Sequence, residues 1–305
     1  MASTIVRRSL LAVSVFDAEH VADCWRYGAD AVILDITAGD PETARCEVRA
    51  SVNTARRGGA EVFVKVNPQL AYADIEAAAW PGLTGIVISS PEREQDVSTI
   101  AEILEDTERR HGIVSGSLQI IALLGTAAGV WNMREIVAGS PRVTAVALDE
   151  SELCRTLGIV PREDFDPFEY AKGRLVIEAT AADVQPVGIS HPLGVLPRLV
   201  GGEEEVFRLA QRGRNLGFKG TICPHPSWVA PCNRAFTPTS EQIEYYREVR
   251  RVFADGIAKG TAAVPLGGQM VDVPVDERAK VMIALWERCQ RREAEKASAL
   301  AAARA

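Results

Sequence analysis

The chain has 305 residues, 47% of them hydrophobic and 25% charged, the balance of an ordinary globular protein rather than a disordered or fibrous one. Its formal net charge of -7 argues against nucleic acid or anionic membrane as the main partner. No apolar run approaches the ~20 residues a membrane-spanning helix needs, and the six scattered cysteines lack metal-type spacing, as expected of buried thiols in a reducing cytoplasm.

The N-terminal MASTIVRRSLLAVSV has two arginines and a short apolar run but no small-residue cleavage site. An amphipathic segment, FDAEHVADCW, follows directly, so Ser9 to Val15 reads as a first strand rather than a leader. Next come AVILDI with the helix PETARCEVRASVNTARRGG, EVFVKVN with YADIEAAAW, and GIVISS with REQDVSTIAEILEDTERRHG. LQIIALLGT precedes GVWNMREIVAG, and VTAVALDE precedes SELCRTLG. A helical stretch from Pro167 to Asp183 leads to PVGISHP and EEEVFRLAQRGRNLGF, and GTICPHP closes into SWVAPCNRAF.

These make about eight β-then-α units, the pattern of a (β/α)8 TIM barrel over residues 1–236. The strands are near-continuous apolar runs, as expected where both faces are covered. A doubly wound sheet is the competing fold, but it normally carries a Gly-rich first turn that is absent here. After Phe236 the pattern changes. TPTSEQIEYYREVRRVFADGIAKG predicts one long helix with Ser240 at its cap, and the following segment a short hairpin and another helix. Residues 237–290 are thus expected as a C-terminal lid or oligomerisation extension, and 291–305 as a helical tail that frays for want of an apolar face.

Active sites of such barrels lie at the C-terminal ends of the strands. In order those ends carry Ser14; Asp35, Thr37 and Asp40; Lys65 and Asn67; Ser89 and Ser90; Gly125 and Thr126; Asp149, Glu150 and Glu152; Ser190 and His191; Cys223 and His225. A Lys at such a position neutralises a carboxylate or an enolate, or forms a Schiff base if desolvated, and neighbouring carboxylates can hold a hard cation such as Mg2+. Taken singly, each has a structural explanation: a strand-end cap for Asp35, helix caps for Asp149 and Glu150, an internal ion pair for Lys65. Only their convergence on one rim points to chemistry. His20 and His111 fall on helices and read as surface residues, while the His-Pro pairs at His191 and His225 are also a common way to leave a strand.

Several segments resemble the HpcH/HpaI aldolase and citrate lyase beta-subunit-like superfamily, whose members include malyl-CoA and citramalyl-CoA lyases. The resemblance runs from about Arg7 to Trp286: RRSLLAV, GADAVILDI, VKVN, IALLGTAAGVWNMREIVAGSPRV, LGFKGTICPHPSWVAPCNRAFTP and GGQMVDVPVDERA. It implies a TIM barrel with a C-terminal lid, assembled as a homotrimer or homohexamer, and Mg2+-assisted cleavage or formation of a C–C bond beside a carbonyl, often in an acyl-CoA. By the same resemblance, Lys65 and Asp272 are the catalytic candidates. Arg8, Asp35, Thr37, Asn67, Thr126 and His225 are the substrate-binding ones, and Glu152 is a metal ligand.

The departures gather at the functional positions. The metal-binding Glu of a LIET-like motif is replaced by Gly125 in LLGT, an Asp ligand by Glu152, and the Arg of RxN by Lys65, which keeps the charge but loses the bidentate fork. LDLEDAV becomes LDITAGD, keeping Asp35, and the Asp-Gly before Asp272 becomes Gly267-Gly268. The expected activity is a divergent C–C lyase or aldolase acting through an enolate on an acyl-CoA or small oxo-acid. The alternative is a non-catalytic or metal-independent homologue that binds a CoA ester or carboxylate, or partners an active paralogue.

Overall fold

The computed structural model describes residues 6–162, 164–189 and 202–304; the strand-end candidates Ser190 and His191 lie outside them. Eight parallel strands run in the sheet order β7-β6-β5-β4-β3-β2-β1-β8: β1 (Ser9–Ser14), β2 (Ala31–Asp35), β3 (Glu61–Val66), β4 (Gly85–Ser89), β5 (Gln119–Leu124), β6 (Val143–Leu148), β7 (Gln185–Val187) and β8 (Thr221–Cys223). Two backbone hydrogen bonds between the end strands, Gly188 N to Gly220 O (2.9 Å) and Lys219 N to Pro186 O (3.0 Å), all but close the barrel. Its helices are α1 (Ala18–Asp23), α2 (Pro41–Ala55), α3 (Ala71–Ala78), α4 (Glu94–His111), α5 (Ala127–Trp131), α6 (Met133–Ala138), α7 (Glu150–Leu157), α8 (Glu169–Ala181), α9 (Glu203–Leu216) and α10 (Val229–Phe236).

Both strand faces are buried, which is why the sequence shows apolar runs rather than alternation. Val32, Leu34, Val62, Val64, Ile86 and Ile88 face outward into the layer shared with the helices. Leu10, Ile33, Phe63, Val87, Ile121 and Leu123 face inward and fill the barrel. At the N-terminal end a polar plug replaces them. Arg7, fully buried, bonds Glu61 (2.6 Å), Thr144 (3.0 Å) and Gln119, and its guanidinium lies 4.8 Å from the Phe63 ring centroid.

Beside it, Arg8 and Lys296 both grip Asp30 at 2.7 Å, and Lys296 also donates to Gly28 O. Burial alone would raise the Asp30 carboxyl, but hydrogen bonds and charge from Arg8 and Lys296 outweigh it and hold the pKa below the usual range.

Thr237–Glu295 form a second compact unit, while Lys296 onward belongs with the barrel. The second unit contains α11 (Ser240–Ala258), a hairpin of β9 (Val264–Leu266) and β10 (Gln269–Val271), and most of α12 (Val273–Arg304). The cap of α11 falls one residue earlier than expected: Thr239, not Ser240, forms a reciprocal capping box with Gln242. Gly267 and Gly268 both have positive φ (55° and 81°), as a tight two-residue hairpin turn requires. A cluster of Val249, Val271 and Ala279 makes this unit's own core. The tail expected to fray is helical through Arg304, and Lys296 within it is 2% exposed. Among the described residues no helix is long and apolar enough to cross a membrane.

Candidate active site

Side chains two apart on a strand share a face. Ile33, Phe63, Val87, Leu123 and Ala147 point into the barrel, so the next residues on that face are Asp35, Lys65, Ser89, Gly125 and Asp149. The apolar interior therefore ends in a polar rim by periodicity alone. The register places Asp35 directly beside Lys65, and Lys65 Nζ donates to Asp35 Oδ2 at 3.1 Å. The other carboxylate oxygen accepts from Thr37 N (2.8 Å) and Thr37 Oγ1 (2.6 Å). Asp35 is thus fixed from one side and holds the ammonium from the other. Both are part-exposed, Lys65 at 22% and Asp35 at 27%, so the ion pair faces solvent from a cleft rather than from the core.

That cleft, of about 330 Å³, is lined by Thr37, Lys65, Asn67, Ser89, Asp149 and Glu152, among others. Asn67 caps a short 3-10 turn at Pro68–Leu70 through its Oδ1, which accepts from Gln69 N; its amide NH2 is the group available for donation. Asp149 caps α7, its Oδ1 accepting from Glu152 N at 3.1 Å. Glu152 is clasped by Arg155 through both oxygens, at 2.5 and 2.9 Å. The Arg155 hydrogen bonds, with a smaller contribution from the charge of Lys65, hold its carboxyl below the ordinary range. Arg155 was absent from the expected set; its signal was the i,i+3 spacing from Glu152 on one helix.

Gly125 has a steric explanation in this fold. A Cβ there would lie 2.5 Å from Ser90 Oγ and 2.8 Å from Glu152 Cγ, so neighbouring side chains already occupy the space of any larger residue. Ser90 is itself unusual, a non-glycine residue at φ 51°, held by a 2.7 Å bond from its N to Leu123 O. Ser89 Oγ is buried and has no hydrogen-bond partner.

The other expected site residues scatter. Thr126 caps α5, accepting from Gly129 N. His225 is exposed at the end of β8, where its Nδ1 accepts from Ser227 N (3.2 Å), and its ring is 6.5 Å from that of His20. Arg8 is a correction: it precedes β1, so it sits at the opposite end of the barrel, 3% exposed and committed to Asp30. Asp272 belongs to the second unit, where its Oδ1 accepts from Val275 N at the start of α12. His111 is not a surface residue either; it stacks on Trp80 (4.3 Å) and bonds Ala79 O and Glu76.

Among the described residues, the rim does not make a magnesium site. Mg2+ favours several oxygen donors in near-octahedral array. Here Glu152 is clasped by Arg155, Asp35 is bound to Lys65 and Thr37, and position 125 offers no donor. Among the described residues no group of three or more His, Cys, Asp or Glu side chains converges as metal ligands.

The family model for HpcH/HpaI aldolase/citrate lyase matches residues 8–226. Citrate lyase subunit beta of Leuconostoc mesenteroides subsp. cremoris is 26% identical, with 92% of this chain and 93% of that protein covered. The L-malyl-CoA/beta-methylmalyl-CoA lyase of Cereibacter sphaeroides is 25% identical, over 84% and 86%. Among solved structures, CitE of Mycobacterium tuberculosis in complex with magnesium, acetoacetate and coenzyme A superposes with a TM-score of 0.69. It is 24% identical and covers 93% of this chain and all of its own (100%), a likeness of fold. A Burkholderia xenovorans citrate lyase gives 0.72 at 15% identity, covering 97% and 96%.

Proposed function

This chain belongs to the HpcH/HpaI aldolase/citrate lyase family, and from that premise we propose that it makes or breaks a carbon–carbon bond beside a carbonyl through an enolate. The observation that carries this reading is the Lys65 ammonium, fixed by Asp35 at 3.1 Å and facing the cleft at the end of β3. An enolate carries its charge on oxygen, and a preorganised cation in a partly desolvated cleft stabilises that charge more than it stabilises the neutral carbonyl.

In this mechanism Lys65 receives the carbonyl oxygen of the oxo-acid or thioester. Thr37 holds the outer oxygen of Asp35, so the carboxylate keeps the ammonium aimed instead of swinging to meet the substrate. The Asn67 amide donates to the second oxygen of a bound carboxylate. Asp149, on the far wall, is the group placed to take and return the carbon-bound proton. Since the described rim residues do not fit Mg2+, no step is assigned to a metal. The proposal extends to a CoA thioester as substrate form, in line with the malyl-CoA lyase among the relatives, and to a homo-oligomer, trimer or hexamer.

The test is proton exchange. With pyruvate or acetoacetate in deuterated water, the protein should catalyse loss of the methyl or methylene proton signals, and Lys65→Met should slow it by about 100-fold or more. An unchanged exchange rate in that variant would remove Lys65 from the chemistry. The second reading, a carboxylate-binding homologue without turnover, is favoured by the Arg155 clasp on Glu152. It predicts Lys65-dependent binding with no exchange.

A further inference from the structure

Beside the cleft lies a second cavity of about 470 Å³, within the size range of small-molecule sites. It opens between the first turns of α3 and α4. Pro68, Ser89 and Ser90 line both spaces and so form a shared wall. Beyond them Val66, Ile88, Ile100 and Ile103 make apolar inner walls, while the outer edge is polar, with Gln69, Asp96 and Thr99 exposed beside Tyr72 and Glu92 half-buried.

Two features of the shared wall point to an occupant. The Ser89 hydroxyl is shielded from solvent without a partner, an arrangement costing about 1–3 kcal/mol unless something bonds it. The adjoining Ser90 keeps a left-handed backbone that non-glycine residues adopt only under constraint. The Ser90 side chain, with Glu152, fills the space over Gly125. The rim is thereby crowded on the β5 side, while the way past Ser89 leads to apolar walls.

We propose that this chamber is the subsite for an aliphatic substituent of the substrate. In it, an oxo-acid or acyl thioester anchored at Lys65 lays a branched or straight hydrocarbon chain between α3 and α4, and Ser89 donates to its carbonyl oxygen. The proposal rests on the enolate reading of the cleft and adds the class of compound: substrates with an apolar chain rather than the smallest oxo-acids. Burial of each added methylene in such walls strengthens binding several-fold.

The test uses pyruvate and α-ketoisocaproate as probes in calorimetric titrations of the full chain. The wild type should bind the branched acid about tenfold or more tighter than pyruvate. Thr99→Trp, at an exposed position on the chamber lining, should abolish that preference while changing pyruvate affinity less than about twofold. Ile103→Trp, which fills the chamber from deeper in α4, should do the same, with circular dichroism reporting that each variant folds. Pyruvate binding that depends on Lys65 but shows no preference for the branched acid would overturn the subsite and leave the cleft reading standing. So would a preference that survives both tryptophans. Failure of the wild type to bind pyruvate at all would overturn the cleft reading, and the subsite with it.

Discussion

Glu150→Gln is expected to make the protein more stable at pH 8 while changing little at pH 5. Glu150 opens α7 with its side chain 10% exposed; one oxygen meets Lys172 at 2.9 Å and the other is buried without a partner. Lys172 is shared with Asp166 at 2.7 Å, so one ammonium serves two carboxylates. Burial pushes Glu150 up to about 7 from the usual 4.5; Lys172 opposes the shift, and the nearby charges of Asp166 and Asp149 reinforce it. Because the folded pKa lies above the unfolded one, the folded state holds an extra proton between about pH 4.5 and 7, and stability falls as pH rises through that window.

That rise, from the usual 4.5 to about 7, integrates to about 2–3 kcal/mol between pH 5 and 8. Glutamine has nearly the same shape, can still accept from Lys172, and cannot ionise. Urea denaturation of both proteins at pH 5, 6, 7 and 8 should therefore give curves that diverge by about that amount toward pH 8. Parallel curves would show that Glu150 titrates alike in both states and refute the reasoning.

Lys296→Met should cost about 3 kcal/mol of unfolding free energy, since it leaves the buried Asp30 with one of its two cations; a loss under about 1 kcal/mol would show the tail to be dispensable. Gly125→Ala should lower stability by about 1–3 kcal/mol, measured as a midpoint shift in urea, because the added methyl meets Ser90 and Glu152 inside 3 Å; an unchanged midpoint would mean those side chains move aside at no cost. Titration with Mn2+ followed by its electron paramagnetic resonance should show no site filled at submillimolar concentration. Stoichiometric binding lost in Glu152→Gln would contradict the reading of the rim.

Much of the architecture is local information. Eight apolar runs alternating with helical periodicity yield the barrel, since each run can bury two faces only between a core and a helical layer. The positions of Asp35, Lys65, Ser89 and Gly125 at strand ends follow from counting along the chain. Arg8 was misplaced even though its end was legible: in a parallel barrel, a residue before the first strand lies opposite the mouth. The cap of α11 was off by one because Thr239 and Ser240 are both good capping residues and only backbone geometry chooses between them. His111 read as exposed because its partners, Trp80 and Glu76, come from the preceding βα unit.

What the sequence determined by itself, then, is the order of elements, the inward and outward faces, and which residue types reach the rim. Only the tertiary structure decided which of those groups are free to act. It brought Lys65 onto Asp35, filled the space above Gly125, and set Glu150 and Asp166 in competition for Lys172. Periodicity sets the direction of a side chain, but pairing and desolvation depend on neighbours far apart in the chain, and these settle whether a carboxylate at the rim can bind a cation or already has one.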